Sequence, residues 1–335
     1  MAPSTDSIDS ASWYSSYRER VAFRLRELVG TAPGGVQDLW RYHMGWTDQH
    51  GRPVEAEMGK MLRPVLCLTV CAGYHDNPAA LDAAAAIELL HAFSLVHDDI
   101  EDADRQRRHR ETLWSQFGLP LALNAGDGLF AKASETLYQA IAVLDKQPGL
   151  LALQLYSNAC LRMIEGQHLD IGFESKPSVS VAGYLRMVRG KTGAIIGAAM
   201  ALGALFGGAG QAQIDDLGEA GIEMGTAFQA TDDALAFWGN PAETGKAVGN
   251  DLVRGKQSLP VVLAAERDLS LERLRGLTLS EALRTLERAG VHQACEAFAG
   301  EHAYTARRLI AGAGVSAQGL QRFSALIDFS IIRER

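Results

Sequence analysis

Cysteine is scarce in this chain: there are four in 335 residues, and Cys67, Cys71, Cys160 and Cys295 neither form a CxxC pair nor reach the density of a disulfide scaffold. A fold stapled by disulfides is excluded and a reduced cytosol fits, with Cys67 and Cys71 read as packing residues on one helix face. Positive charge is also in deficit, 32 Lys and Arg against 40 Asp and Glu, for a net charge of -8. Nucleic-acid surfaces need clustered Lys and Arg, so no nucleic-acid partner is expected, although a local basic pocket is compatible with the total. Trp13, Trp40, Trp46, Trp114 and Trp238 make no stripe on which bases could stack. Residues 1–16 are Ser-rich and acidic and lack the basic start and apolar stretch of a signal peptide, so we expect a flexible tail and a cytoplasmic protein.

A convincing membrane span is missing as well. The most membrane-like stretch, Gly193 to Gly210, is dense in Gly and Ala and broken at Gly207 and Gly208, which predicts a buried helix ending near Phe206. Alternating β-branched runs are scarce, so strands have no obvious home, and no Pro- or Ser-rich linker divides the chain.

What is present is helical periodicity. Apolar residues, 47% of the total with the aromatics included, recur at three- and four-residue spacing and predict an all-α fold. Helices are expected at 12–28, 62–74, 78–102, 119–144, 150–171, 179–189, 192–206, 212–238, 259–267, 280–289, 293–311 and near 316–333. Without a linker, residues 17–335 read as one helical domain.

The first chemical signal is His97-Asp98-Asp99-Ile100-Glu101-Asp102, at the end of an apolar run. Asp98 and Asp102 are four residues apart and share a helix face one turn apart. Carboxylates that close repel, a cost removed by a hard divalent cation such as Mg²⁺, which commonly completes its shell with water and phosphate oxygens. Gln229-Ala230-Thr231-Asp232-Asp233 ends a second apolar helix, and Lys246, Asn250-Asp251 and Lys256 follow. Carboxylates for the cations and ammonium groups for the remaining phosphate oxygens are what a bridged metal and diphosphate require. Further cations stand at Lys60 and Arg63, Arg107 and Arg108, and Lys191.

The ordered motifs GKMLRP, LLHAFSLVHDDIEDADRQRR, NAGDGLF, EGQHLD, KTG, GTAFQATDD and GKAVGNDLVRGKQSLP resemble those of the trans-isoprenyl diphosphate synthases, the polyprenyl synthetase family, from about Gly59 to Pro260. The resemblance implies a single large helical bundle of the isoprenoid synthase type around a central cavity, a homodimer, and condensation of isopentenyl diphosphate with an allylic diphosphate. It further implies Mg²⁺, three ions per site, ligated by Asp98, Asp102 and Asp232, with Asp99 and Asp233 in support. Arg107, Lys191, Lys246 and Lys256 would hold the allylic diphosphate. Lys60, Arg63, His91 and Arg108 would form the metal-free isopentenyl diphosphate site, and Thr192 and Gln229 would turn oxygen atoms toward the developing carbocation.

Three positions depart from the family pattern: Ala236 replaces the last Asp of the second motif, His109 replaces the Gly after the Arg pair, and Glu111 replaces the Pro before Thr112. A low-activity regulatory subunit is one alternative these raise. A class I terpene cyclase on the same scaffold is another, although it would leave Lys60, Arg63, His91 and Arg108 unexplained. Phe93, five residues before Asp98 and so about 7–8 Å down the helix, would floor the cavity. With small Ser94 beside it, the family pattern suggests geranylgeranyl diphosphate as product, and farnesyl diphosphate second.

Overall fold

The computed structural model describes residues 12–54, 59–239 and 249–331. The protein is all-α, apart from one two-stranded ribbon and an isolated bridge. The long helices follow the apolar periodicity closely. Leu62–Tyr74 matches its expected bounds, Ser12–Val29 and Ala80–Glu101 differ by one or two residues per end, and the apolar stretch after Gly193 forms Ala194–Phe206, buried and ending at Phe206. Short helices at Val36–His43, Leu113–Phe117, Asn250–Arg254 and Leu271–Arg275 escape the sequence reading. Two turns or fewer leave too little periodicity to detect.

The chain divides into two compact units. Residues 12–156 and 199–214 form the first. Its centre is Ala80–Glu101, whose Ala83, Ala84, Ala85 and Ala86 are fully buried alongside Ile87, Leu89 and Leu90. Small side chains let neighbouring helices approach closely, while each buried Leu or Ile contributes about 1.5–3 kcal/mol. This helix packs most extensively against Leu119–Ile141 and also meets Leu62–Tyr74 and Ser12–Val29. By length and composition it is the one helix among the described residues that could cross a membrane, and most of its apolar window is buried within the protein. Cys67 and Cys71 are buried free thiols on Leu62–Tyr74, as expected of packing residues.

The ribbon pairs Gln106–Arg107 with Arg110–Glu111, Gln106 opposite Glu111 and Arg107 opposite Arg110. This corrects the view that strands have no home; a six-residue run of charged and polar side chains carries no apolar alternation. Its two-residue loop, Arg108-His109, has φ of 50° and 60°. Two successive left-handed residues make a hairpin turn of the primed kind, a conformation that favours glycine. His109 therefore occupies a strained position where the family has Gly. Glu111, in place of the family's Pro, pairs across the ribbon and accepts the Tyr42 hydroxyl at its carbonyl, 2.9 Å.

Residues 157–198 and 215–331 form the second unit. Tyr184, Phe237, Leu259, Val262, Leu274, Leu286 and Cys295 are among its buried core residues. The helix containing Met187 and Val188 runs into a π turn, Arg189–Gly193. Gly166 and Gly190 permit that turn: a Cβ on Gly166 would lie 2.1 Å from the Lys191 nitrogen, and one on Gly190 would lie 2.6 Å from the Arg162 carbonyl. The wider turn sets the direction of Lys191 and Thr192. Such π turns recur at functional sites.

Candidate active site

Asp98 lies in the last turn of Ala80–Glu101, and Asp102 is that helix's C-terminal cap, donating its backbone N–H to the Asp98 carbonyl at 2.8 Å. The helix dipole favours cations at this end, yet the turn holds Asp98, Asp99 and Glu101 and no basic residue. Such an acidic terminus is unfavourable unless a cation offsets it.

Asp99 does something different. It is buried, 3% exposed, and accepts Arg107 Nε at 2.7 Å. Burial is the largest influence and raises its pKa to about 6, against the opposing pull of Arg107. Asp99 thus ties the ribbon to the motif helix, while Asp98 and Asp102 keep the partly exposed positions.

The basic residues of the first unit form a second territory. Arg63 Nη1 lies 3.1 Å from His91 Nε2, so His91 accepts there and carries its proton on Nδ1, where Ser94 Oγ stands 3.5 Å away. Burial, followed by Arg63, Arg108 and Arg107, holds His91 well below its ordinary pKa and keeps it neutral. The Arg108 guanidinium lies over Gly59, where a Cβ would be 2.5 Å from Nη2. Glu88 faces Arg63 and Arg108, but burial outweighs them and raises its pKa. Lys60 is exposed just before the helix that carries Arg63.

Phe93 and Ser94 sit where the sequence predicts, and Phe93 is buried, with ring centroids 5.1 Å from Phe130 and 4.7 Å from His97. The aromatic block thus includes Phe130, of the NAGDGLF motif, which the sequence reading did not single out. Asp127 of the same motif approaches His97 Nε2 at 3.5 Å.

In the second unit one polar chain links four motifs. Thr192 Oγ1 donates to Gln229 Oε1 at 2.9 Å, and Gln229 Nε2 donates to Asp233 Oδ1 at 2.8 Å. Asp233 Oδ2 accepts both the Tyr184 hydroxyl, 2.7 Å, and the Leu259 backbone N–H, 2.8 Å. Both carboxylate oxygens of Asp233 are therefore engaged, and burial pushes its pKa up to about 7 in spite of these donors. Asp233 braces the site, as its supporting assignment implied, and Asp232 is the partly exposed carboxylate of the pair. Tyr184 and the Leu259 amide were not foreseen, because neither lies near the motif in sequence. Lys191 Nζ donates to Asp170 Oδ2 at 2.6 Å, which gives the EGQHLD motif its role beside KTG. Lys256 is partly buried after the short helix Asn250–Arg254, and Lys246 lies outside the described residues. Ala236 packs against the core of the unit and accepts the Gly249 N–H at its carbonyl, 2.9 Å.

These donors suit magnesium. No group of three or more His, Cys, Asp or Glu side chains among the described residues forms a ready-made metal cage. Asp98 with Asp102 in one unit, and Asp232 in the other, instead offer a few carboxylates each. A hard cation held this way takes its remaining oxygens from water and phosphate.

An all-α protein that pairs acidic helix ends with guanidinium and ammonium groups is of the class that binds metal-bridged diphosphates. Comparison with known proteins is more specific. The polyprenyl synthetase family model matches residues 46–294. A geranylgeranyl diphosphate synthase of Mycobacterium tuberculosis is 40% identical over 243 residues, covering 72% of this chain and 66% of that one. A (2E,6E)-farnesyl diphosphate synthase of the same organism is 38% identical over 244 residues, covering 72% and 67%. The solved polyprenyl synthetase of Streptomyces coelicolor A3(2) superposes with a TM-score of 0.87 at 33% identity, covering 96% of this chain and 99% of that one. The chain belongs to the polyprenyl synthetase family and is a prenyltransferase.

Proposed function

We propose that this enzyme condenses isopentenyl diphosphate with an allylic diphosphate, head to tail, and releases geranylgeranyl diphosphate. The observation that carries the reading is the division of the first unit into a cation-seeking helix end, Asp98 and Asp102, and an anion-seeking cluster, Lys60, Arg63, His91 and Arg108. Two diphosphates of different character fit this pair: one through metal, the other through nitrogen donors alone. Magnesium, three ions per site held through Asp98, Asp102 and Asp232, stabilises charge on the departing pyrophosphate.

The chain's own groups do the rest. Lys191, kept charged beside Asp170, and Lys256 donate to the allylic diphosphate. Lys246 is assigned with them. Arg107 supports that site from its bond to Asp99. Thr192 and Gln229, fixed through Asp233, turn oxygen lone pairs toward the allylic carbon as it becomes positive. The isopentenyl double bond attacks that carbon, and the proton then lost passes to the pyrophosphate, since no side chain here is an obvious base. Apolar walls exclude water, which would otherwise divert the cation to an alcohol.

Product length follows from the aromatic block of Phe93, Phe130 and His97, which closes the chain's path below the carboxylates and supports a twenty-carbon limit. A homodimer in the cytoplasm completes the proposal. Leu161, Ile164 and Ile171, each 45–61% exposed on one helix, suit a subunit interface.

The test is incubation with Mg²⁺, isopentenyl diphosphate and dimethylallyl, geranyl or farnesyl diphosphate in turn, followed by mass spectrometry of the dephosphorylated products. A linear twenty-carbon alcohol supports the proposal. A fifteen-carbon limit would correct the length, and cyclic hydrocarbon from one allylic substrate would replace the synthase with a cyclase.

A further inference from the structure

The helix Val36–His43 brings an unassigned imidazole to the basic cluster. Its C-terminal end is fixed to the ribbon: Arg110 donates to the Tyr42 carbonyl at 3.2 Å and the Thr47 carbonyl at 2.6 Å, and its guanidinium carbon lies 4.4 Å from the Tyr42 ring centroid. The next side chain, His43, hydrogen-bonds the backbone of Ala92, the residue between His91 and Phe93 on the motif helix. His43 is partly buried and faces Arg107, Arg108, Arg110 and His91. His91 faces Arg63, Arg107, Arg108 and His43. Two imidazoles therefore sit among four guanidinium groups. Asp99 is committed to Arg107, and Glu88, which faces Arg63 and Arg108, has a raised pKa.

A pocket this rich in cations keeps imidazole neutral. Burial, then Arg107 and Arg108, push His43 down to about 3. A diphosphate placed against the same guanidiniums reverses the local field, and an opposite charge within about 4–6 Å moves a pKa by 1–3 units, several such charges by more. The ring nitrogen not bonded to Ala92 is then the natural place for an added proton. We propose that His43 is a further binding residue of the isopentenyl diphosphate site, protonated as the diphosphate enters so that it becomes one more cation holding it. The inference rests on assigning Lys60, Arg63, His91 and Arg108 to isopentenyl diphosphate.

Calorimetric titration of isopentenyl diphosphate into the full-length protein tests it, without Mg²⁺ or allylic substrate, at pH 7.0 in two buffers of different ionisation enthalpy. The difference between buffers counts protons exchanged per site. The wild type is expected to take up at least about half a proton more than His43→Gln or His43→Asn; any proton lost by the substrate is common to all three and cancels. In steady state His43→Gln should raise KM for isopentenyl diphosphate about five-fold, or about 1 kcal/mol, and leave KM for the allylic substrate within about two-fold. Equal proton counts in wild type and variants overturn the role of His43 while leaving the site assignment standing. Absence of isopentenyl diphosphate binding overturns both. Should neither variant fold, the wild type still decides: no net uptake sinks the proposal.

Discussion

Arg107 Nε donates to Asp99 Oδ1 at 2.7 Å, so the middle aspartate of the first motif is committed to the protein and its neighbours Asp98 and Asp102 are left to face a ligand. Three acidic residues in five positions thus do two kinds of work.

Substitution should separate them. Asp98→Ala and Asp102→Ala are expected to lower kcat at least about 100-fold while leaving Tm unchanged or slightly raised, because each removes like charge from a helix C-terminus. Asp99→Ala should instead lower stability by about 2–3 kcal/mol, since it strands Arg107. Thermal melts beside steady-state kinetics distinguish the two patterns.

His109→Gly should stabilise the enzyme. The residue is held at φ 60° in the ribbon turn, and relief of a left-handed non-glycine is worth about 1 kcal/mol. A Tm higher by about 2 °C with kcat retained is the expected result; an unchanged or lower Tm would mean that the His109 side chain compensates for its backbone.

Phe93→Ala should lengthen the product beyond twenty carbons, and Phe130→Ala should act in the same direction, because the two rings pack 5.1 Å apart as one block. The readout is the product distribution from farnesyl diphosphate as primer. No change in Phe93→Ala would assign that ring to the core alone.

Gly166→Ala places a methyl against the Lys191 backbone and should displace the π turn. We expect kcat lower by about 10–100-fold and a raised KM for the allylic substrate, with isopentenyl diphosphate binding by calorimetry unchanged.

Asp233 sets a pH dependence. Its folded pKa, about 7, is raised above the unfolded value of 3.8, so its contribution to stability is fully present below pH 4 and is lost as pH rises through 7. Asp233→Asn cannot ionise. Its Tm relative to wild type should therefore improve progressively between pH 4 and 8, and a constant difference across that range would show that the buried carboxyl does not titrate there.

Local chemistry made much of this legible. Asp98 and Asp102 share a face because four residues make about one helical turn, whatever the rest of the chain does. Lys191 before a Gly and Asp232 at a helix end could be recognised in the same way. Missed residues fall into one kind. Tyr184 reaches Asp233 over 49 intervening positions in numbering, and Trp40 donates to the Ala125 carbonyl across 85. His43 lies on a helix of eight residues, too short for periodicity to mark. The ribbon has no apolar alternation, and its strained turn shows in sequence only as a missing glycine.

The sequence by itself determined the helical class, the order of the motifs and the residue types that meet metal and diphosphate, because these depend on spacing along one helix and on side-chain chemistry. Only the tertiary structure decided which aspartates are spent as braces, which rings stand behind Phe93, and which imidazoles join the arginines. Burial and long-range partners fix those roles, and neither can be read from residues adjacent in the chain.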